Sequence, residues 1–274
     1  MARALVIGTC RVGGPTRLIR ANSDAPLVRP MRHRVHTPPQ ILRLIDTILG
    51  RGYGPKMVHL LSTHAVDEII GGRRDQIFAE LETLRRLWAS FRGFVVEVSS
   101  LREYFCHFDG ERVTIDRFAA GTLAERSADI EAAIGRGEIV AIRARDVEVH
   151  RLTRGETIEC MTSIKEALGG LPVVWVSHAL PIDPAPRFDH IRTVRQQVVS
   201  AVGEGARRLG DAFYDPSALV EEMGQSAAFE KGGEDTTHWT AAAQQRLAEI
   251  YEALVFDLLK VRRIELQAAS PGEV

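Results

Sequence analysis

The sequence has few of the residues that hold small secreted proteins or metal sites together. Its 274 residues include three cysteines, Cys10, Cys106 and Cys160, which lie far apart and in no Cys-x-x-Cys or mixed Cys/His spacing. This argues against a disulfide framework and against a zinc site. A chain of this length buries enough surface to form a core without such links. We therefore expect no bound metal and a reducing, cytoplasmic location.

Long apolar runs are also missing. Before Gly8 the amino terminus has one arginine and only about five apolar residues, too few for the core of a signal peptide. No run approaches the roughly 18 apolar residues of a membrane span, so we expect no such span. The formal net charge is -1, and no aromatic residues are interleaved with the arginines. Both observations argue against a nucleic-acid partner.

Five short apolar runs alternate with helical patterns along the chain. Continuous apolar character is typical of strands covered on both faces, and the alternation predicts an α/β sandwich of the doubly wound type. The predicted strands are Ala4 to Ile7, Met57 to Leu61, Phe94 to Val98, Val173 to Val176 and Ala212 to Tyr214. The predicted helices are Pro39 to Leu49, Arg74 to Phe91, Leu123 to Ile134, Thr157 to Leu168, Phe188 to Leu209 and Thr240 to Val261.

One stretch departs from this alternation. The residues from Arg102 to Phe118 read as strand, Asp109-Gly110 turn and strand, which predicts a β-hairpin. Residues 137 to 155 fit either a further strand or an extended loop. We predict a single domain over 1 to 265, in which 99 to 155 is an inserted elaboration, followed by a flexible tail at 266 to 274.

Hydroxyl, thiol and imidazole groups follow four of the predicted strands. These residues are Thr9-Cys10-Arg11, Ser62-Thr63-His64, Ser99-Ser100 and Ser177-His178. Sites in doubly wound sheets form at the carboxyl ends of the strands, so this distribution predicts a functional site there. The alternative is that these residues cap the helices that follow.

Cys10 is the candidate nucleophile at this edge. A free cysteine is commonly a small buried apolar residue, and that alternative stands when Cys10 is considered alone. Backbone N–H groups after Gly8 and the positive charge of Arg11 both favour the reactive thiolate form. Cys106 and Cys160 have no such setting, and we interpret both as structural. We assign no role to Thr9.

A second informative stretch, GGEDTTHWT, precedes the last predicted helix. Asp235 and His238 stand three residues apart in it. A carboxylate at this spacing can accept a hydrogen bond from one imidazole nitrogen, which leaves the other nitrogen free to act as a base. The alternative is a helix-capping residue beside a surface histidine.

Together, Gly8-Thr9-Cys10 near the start and Asp235-x-x-His238 near the end resemble the SGNH hydrolase superfamily. In that family a Gly-Asp-Ser block supplies a serine nucleophile, and an Asp-x-x-His block supplies the rest of the triad. Here Cys10 would replace the serine, as in GSCFA-domain proteins and capsular polysaccharide acetyltransferases with a Gly-x-Cys block. The resemblance covers about residues 1 to 64 and 172 to 260. It implies a flavodoxin-like α/β/α sandwich with a mostly parallel five-stranded sheet.

The chain departs from the superfamily in its middle blocks. The Gly-x-Asn-Asp block that helps to bind the oxyanion is absent, and the corresponding strand end reads Glu97-Val98-Ser99-Ser100. A hydroxyl of Ser99 or Ser100 could donate in place of the asparagine amide, beside the backbone N–H of Cys10 or Arg11. The identity of the oxyanion hole therefore stays open.

Arginines are concentrated directly after the candidate nucleophile, where they favour an anionic, phosphorylated or carbohydrate-type substrate. The basic residues are Arg11, Arg17, Arg20, Arg29, Arg32, Arg34 and Arg43, with His33 and His36, against the single acid Asp24. Acyl-coenzyme A is the co-substrate we consider, with no tightly bound cofactor. We also predict His36, His64 and His178 as substrate-binding residues. The alternative is a basic solvated face or a contact within a homo-oligomer.

Three functions follow from these patterns. The first is an acyltransferase or an ester or thioester hydrolase, in which His238 and Asp235 activate Cys10 and an acyl-thioenzyme forms. The second is a non-catalytic module that binds an anionic glycan or nucleotide, which the missing Gly-x-Asn-Asp block favours. A nucleotide-binding flavodoxin-like protein is the poorest of the three, because Gly13-Gly14-Pro15 forms neither phosphate-binding loop.

Overall fold

A computed structural model of the chain describes residues 3–22, 27–28, 34–54, 57–125 and 127–268. The chain divides into two compact units, which are described separately below. The sheet unit comprises Met1–Pro30, Ser90–Glu97 and Gly170–Val274, and the hairpin unit comprises Met31–Ala89 and Val98–Gly169. The hairpin predicted from the sequence lies in the second of these units.

The strands and helices are numbered in chain order. The strands are β1 (Arg3–Ile7), β2 (Leu27–Val28), β3 (Phe91–Glu97), β4 (Arg102–Phe108), β5 (Glu111–Ile115), β6 (Glu148–Arg151), β7 (Val173–Val176), β8 (Ala212–Tyr214), β9 (Phe229–Glu230) and β10 (Asp235–Trp239). The α-helices are α1 (Cys10–Asn22), α2 (Pro38–Ile48), α3 (Thr63–Ile70), α4 (Arg74–Leu87), α5 (Arg117–Ala124), α6 (Ala128–Gly135), α7 (Arg154–Ala167), α8 (Asp189–Arg208), α9 (Ser217–Met223), α10 (Gln225–Ala228) and α11 (Ala241–Ala268). Single 3₁₀ turns span Val58–Leu61, Trp88–Ser90, Ala144–Asp146, Pro186–Phe188 and Lys231–Gly233.

The sheet unit is built on five parallel strands in the order β2-β1-β3-β7-β8. This is the flavodoxin-like order, and it confirms the predicted α/β fold. The strand predicted at Met57 to Leu61 is wrong, because Val58–Leu61 is a buried 3₁₀ turn in the hairpin unit. Its place at the sheet edge is taken by the two-residue strand β2. The other four predicted strands are present.

Helices cover both faces of this sheet. On one face Val6, Val95 and Val174 pack in a single core with residues of α1 and α11, such as Val12 and Leu247. The alternate strand residues point to the opposite face. There a Cβ added to Gly203 of α8 would lie 3.1 Å from the ring of Phe213 in β8. The result is the predicted three-layer arrangement, with β9 and β10 forming a separate antiparallel pair.

In the hairpin unit, β4 pairs antiparallel with β5 and with β6, so the predicted hairpin gains a third strand. Asp109 and Gly110 form the turn with φ of 49° and 83°. Two successive left-handed residues are typical of a type I′ turn, whose twist matches that of the strands. Residues 137–155, left open between strand and loop, contain the Ala144–Asp146 turn and β6.

Helix starts in this unit are set by side-chain caps. Thr37 and Gln40 form a reciprocal capping box on α2, and Asp116 accepts hydrogen bonds from the first turn of α5. The single helix predicted from Leu123 to Ile134 is wrong. The chain forms α5 and α6 instead, because Ser127 starts a new helix by accepting a hydrogen bond from Ile130 N.

The last helix is longer than predicted, since α11 continues to Ala268. Residues 269–274 of the predicted flexible tail lie outside the described residues. Of the arginine-rich segment, the side chains of residues 20–33 also lie outside them, while Arg17 and Arg34 are exposed. No helix in the described part of the chain is long and apolar enough to cross a membrane.

Candidate active site

Cys10 is the first residue of α1, and two residues, Gly8 and Thr9, separate it from the end of β1. Thr9 precedes the helix as its cap: its hydroxyl accepts a hydrogen bond from Arg11 N at 3.3 Å, and its carbonyl accepts one from Gly13 N at 2.9 Å. The Cys10 side chain is partly exposed. Within the described ranges, neither its sulfur nor its backbone N–H makes a hydrogen bond. Both groups are therefore available to a bound molecule.

The turn that carries Cys10 is fixed by the buried carboxylate of Glu97, at the end of β3. Its Oε2 accepts hydrogen bonds of 2.7 Å from both the backbone N–H and the hydroxyl of Thr9. Its Oε1 forms an ion pair with Arg11 Nε at 2.8 Å. A Cβ on Gly8 would lie 2.7 Å from the Glu97 Cβ, so only glycine fits there. Thr9, to which the sequence assigned no role, thus links the turn of Cys10 to Glu97.

Arg11, predicted to favour the thiolate or to bind substrate, is buried, with 7% of its side chain exposed. Its guanidinium is ion-paired to Glu97 and hydrogen-bonded to His178 Nε2. Since a guanidinium only donates, Nε2 of His178 is the acceptor, and the ring proton lies on Nδ1, which donates to Ala179 O at 3.2 Å. The protein thus occupies both ring nitrogens of His178. Contact of Arg11 or His178 with a substrate stays a prediction.

Asp235 and His238 form the predicted hydrogen bond. They lie on β10, a strand that sequence analysis had not assigned, with 3.0 Å between His238 Nδ1 and Asp235 Oδ2. This hydrogen bond lowers the pKa of Asp235, and a backbone hydrogen bond from Thr237 adds to the effect. The imidazole is about half exposed, at 51%, and its Nε2 makes no hydrogen bond to any described residue. The pair has the arrangement of a carboxylate-oriented general base.

The helix of Cys10 packs against the strand of His238. α1 contacts β10 directly. In addition, a Cβ on Gly14 of α1 would lie 2.9 Å from the side-chain oxygen of Gln244, whose amide donates to Trp239 O at 3.1 Å. The thiol and the imidazole are not joined by a hydrogen bond in this structure. Catalysis through the pair therefore stays a prediction.

Sequence analysis missed two buried charged residues, Glu97 and Arg195. Arg195, on α8, donates hydrogen bonds to Ala179 O at 2.9 Å and to Thr236 O at 3.1 Å. Burial lowers the pKa of its guanidinium to about 9. A signal for both was present: Glu97 interrupts the apolar run FVVEV, and Arg195 lies three residues before Val198 on the buried face of α8.

The remaining predicted residues lie in the hairpin unit. The backbone N–H groups of Ser99 and Ser100 both donate to His36 O, at 2.9 and 3.0 Å, and the Ser99 hydroxyl lies 3.1 Å from His36 Nδ1. Ser100 Oγ accepts from Arg102 N at 3.0 Å. The structure thus joins Ser99 and Ser100 to His36. Their part in binding an oxyanion stays a prediction.

His64 is separate from these residues. It lies in a cleft lined also by Glu68, Gln76, Ile77 and Glu80, and its Nε2 is 3.8 Å from Glu68 Oε1. An acidic lining disfavours the anionic ligand expected from the arginine-rich segment. Substrate binding by His64 stays a prediction.

One group of side chains could hold a metal ion. Among the described residues, Glu230, Asp235 and His238 each offer a ligand atom within 4.8 Å of the others. Exposed acidic groups of this kind are common, and the Lys231 ammonium lies 3.8 Å from Asp235. This cluster gives no reason to assign a metal.

Comparison with known protein families identifies the family to which this chain belongs. Residues 2–253 match the model of the TviD N-terminal domain. The chain is 24% identical over 248 residues to the Vi polysaccharide biosynthesis protein TviD of Salmonella typhi, covering 85% of this chain and 29% of that protein. It therefore spans less than a third of the length of this relative.

Solved structures with distant similarity include two esterases. A catalytic mutant of an acetylxylan esterase from Geobacillus stearothermophilus aligns with a TM-score of 0.39 and 10% identity, covering 91% of this chain and 92% of that chain. The native aryl esterase of M. smegmatis aligns with a TM-score of 0.38 and 12% identity, covering 94% of this chain and all of that chain. The resemblance to GSCFA-domain proteins stays a prediction.

Proposed function

We propose that this chain, which belongs to the TviD N-terminal domain family, is a cysteine-dependent acyltransferase or esterase that acts on a carbohydrate. The observation that carries the proposal is the pairing of two features of the sheet unit. Cys10 stands at the first turn of a helix with its sulfur and N–H available, and the adjacent strand presents an imidazole oriented by Asp235. The carbohydrate follows from the relative's involvement in Vi polysaccharide biosynthesis.

In the proposed reaction His238 Nε2 takes the proton of the Cys10 thiol. The thiolate attacks the carbonyl carbon of an ester or thioester, and the tetrahedral intermediate collapses as the leaving oxygen or sulfur receives the proton from His238. The acyl group is now a thioester on Cys10. An acceptor hydroxyl, or water, then attacks this thioester while His238 takes its proton, and the Cys10 thiolate leaves and is reprotonated. Asp235 holds the ring and stabilises the imidazolium.

The oxyanion is assigned first to the backbone N–H of Cys10. The first N–H groups of a helix lack intrahelical acceptors, and that of Cys10 has none among the described residues. The N–H of Arg11 is a poorer donor, since Thr9 Oγ1 already accepts from it. Acyl-coenzyme A is the proposed acyl donor.

The second candidate function is a non-catalytic binding module. It is favoured by the missing hydrogen bond between Cys10 and His238, whose side chains are both described, and by the missing Gly-x-Asn-Asp block. Such a module would bind an acylated or anionic glycan without turning it over. A measurement of turnover distinguishes the two functions, because only the enzyme would release the acyl group.

The test is turnover of acetyl-coenzyme A and of an aryl acetate by Cys10→Ala and Cys10→Ser, with Cys160→Ala as the matched control. We expect both Cys10 variants to lose turnover and the control to keep it. Turnover that survives in Cys10→Ala would refute the nucleophile, and no turnover in any variant, wild type included, would favour the binding module.

Iodoacetamide labelling gives an independent readout. Burial raises the pKa of Cys160 to about 11 and also raises that of Cys106. At pH 8 roughly one thiol in a thousand at Cys160 is therefore ionised. We expect the label on Cys10, and labelling spread evenly over the three cysteines would count against the proposal.

A further inference from the structure

Arg195 connects the loop that carries His178 to the strand β10, which carries His238. Besides its hydrogen bonds to the carbonyls of Ala179 and Thr236, its Nη2 donates to Thr236 Oγ1 at 3.0 Å. Ala179 follows His178 directly, and Thr236 lies between Asp235 and His238. One side chain on α8 therefore fixes the loop after β7 and the strand β10 at the same time.

The charge of Arg195 is costly where it lies. The side chain is 8% exposed, and no carboxylate of the described residues forms an ion pair with it. Burial disfavours its charged form, and the nearby charge of Arg11 adds to this, while Asp235 opposes it. Burying a charge without an ion pair is costly, and replacing buried charges by apolar residues of similar size is often neutral or stabilising. Stability alone therefore does not account for the arginine.

The same side chain belongs to a buried series of hydrogen bonds that begins at the turn of Cys10. Glu97 accepts hydrogen bonds from Thr9 and Arg11, and Arg11 donates one to His178. The carbonyl oxygen of Ala179 then accepts hydrogen bonds from both His178 and Arg195. From Arg195 the series continues to Thr236 on the strand of the general base.

We propose that Arg195 is a positioning residue: by holding Thr236 and Ala179 together it keeps the Asp235–His238 pair in register with the turn of Cys10. The inference rests on the proposed function, because it assigns Arg195 a role only through His238. Removing Arg195 should misplace the base without removing any group that touches the substrate.

The first experiment compares Arg195→Met, Arg195→Lys and the control Arg208→Met. Lysine keeps the charge, but a single ammonium cannot reproduce the planar set of three hydrogen bonds. Arg208 lies on the same helix, exposed and paired with Glu204. For both Arg195 variants we expect kcat to fall about tenfold to a hundredfold with KM changed by less than about twofold, because positioning acts on the chemical step. The control should keep wild-type values.

The second experiment separates positioning from a general loss of structure. We measure the rate of Cys10 alkylation by iodoacetamide in the wild type, Arg195→Met, His238→Ala and the double variant. If Arg195 acts through His238, its substitution slows alkylation in the wild type and has no further effect in the His238→Ala background. An equal effect in both backgrounds would overturn the proposal.

Two further outcomes would overturn it. If Arg195→Lys keeps wild-type kcat and alkylation while Arg195→Met loses both, the charge matters and the positioning does not. If Arg195→Met does not fold, Thr236→Val decides alone, since it removes the Oγ1 acceptor and keeps the strand. We expect a smaller loss of kcat there, and wild-type kcat would contradict the inference. Should Cys10→Ala keep turnover, the proposed function fails first, whatever the Arg195 variants do.

Discussion

Glu97→Gln should destabilise the sheet unit more than any substitution of a surface charge. Glu97 is 1% exposed, and all three groups that contact its carboxylate, the N–H and hydroxyl of Thr9 and Nε of Arg11, are donors. A glutamine has one acceptor oxygen and one donor NH₂. If the oxygen keeps the two contacts with Thr9, the NH₂ faces the Arg11 guanidinium, donor against donor.

The magnitude follows from the burial of both partners. Arg11 is 7% exposed, so the substitution leaves a buried guanidinium without its carboxylate. Breaking a buried pair by removing one partner typically costs about 3–5 kcal/mol. Removing both charges should lower the free energy of unfolding less than removing the Glu97 charge alone. We therefore expect the double variant Arg11→Met/Glu97→Gln to be more stable than Glu97→Gln.

The assay is denaturant unfolding followed by tryptophan fluorescence in a Trp88→Phe background. Trp88 lies in the hairpin unit, so the remaining indoles, Trp175 and Trp239, report on the sheet unit alone. Glu249→Gln is the matched control, because its exposed ion pair with Arg246 contributes little. A loss of less than about 1 kcal/mol for Glu97→Gln would refute the account of the buried pair.

Two further predictions concern the pH dependence of stability and the turn of Cys10. Burial lowers the pKa of His59 in the folded protein to about 4. Between pH 6.5 and 4 the His59 imidazole is therefore protonated to a greater extent in the unfolded chain than in the folded protein. Unfolding free energy should fall by up to roughly 3 kcal/mol over that window as pH is lowered. His59→Gln should remove this slope and His190→Gln should not; equal slopes would contradict it. Gly8→Ala should displace Glu97, lower the free energy of unfolding by about 1–3 kcal/mol and abolish turnover. Wild-type turnover by this variant would contradict the close packing of Gly8 against Glu97.

Much of the fold follows from local pattern. The runs at β1, β3 and β7 are continuous and apolar because helices cover both faces of the sheet, and this pattern identifies parallel strands. The run from Met57 to Leu61 is also short and mostly apolar but forms a 3₁₀ turn, since a short buried run does not distinguish the two conformations. β2, at two residues, is too short to give any pattern.

The site follows from sequence only where its partners are close in the chain. Asp235 and His238 are three residues apart, and their hydrogen bond is present. Glu97 is 86 residues from Arg11, and Arg195 is 41 residues from Thr236. No periodicity links such pairs. What the sequence shows is only a charged residue at an otherwise apolar position, and the fold alone identifies its partner.

The central claim is that Cys10 carries the acyl group. The most direct measurement mixes the wild-type protein with acetyl-coenzyme A, quenches with acid and maps acetylated peptides by mass spectrometry. The account predicts one acetyl group on Cys10, released by neutral hydroxylamine as a thioester and absent from Cys10→Ala. An acetyl group on another side chain, or turnover with no acetylated Cys10 at any time after mixing, would contradict it.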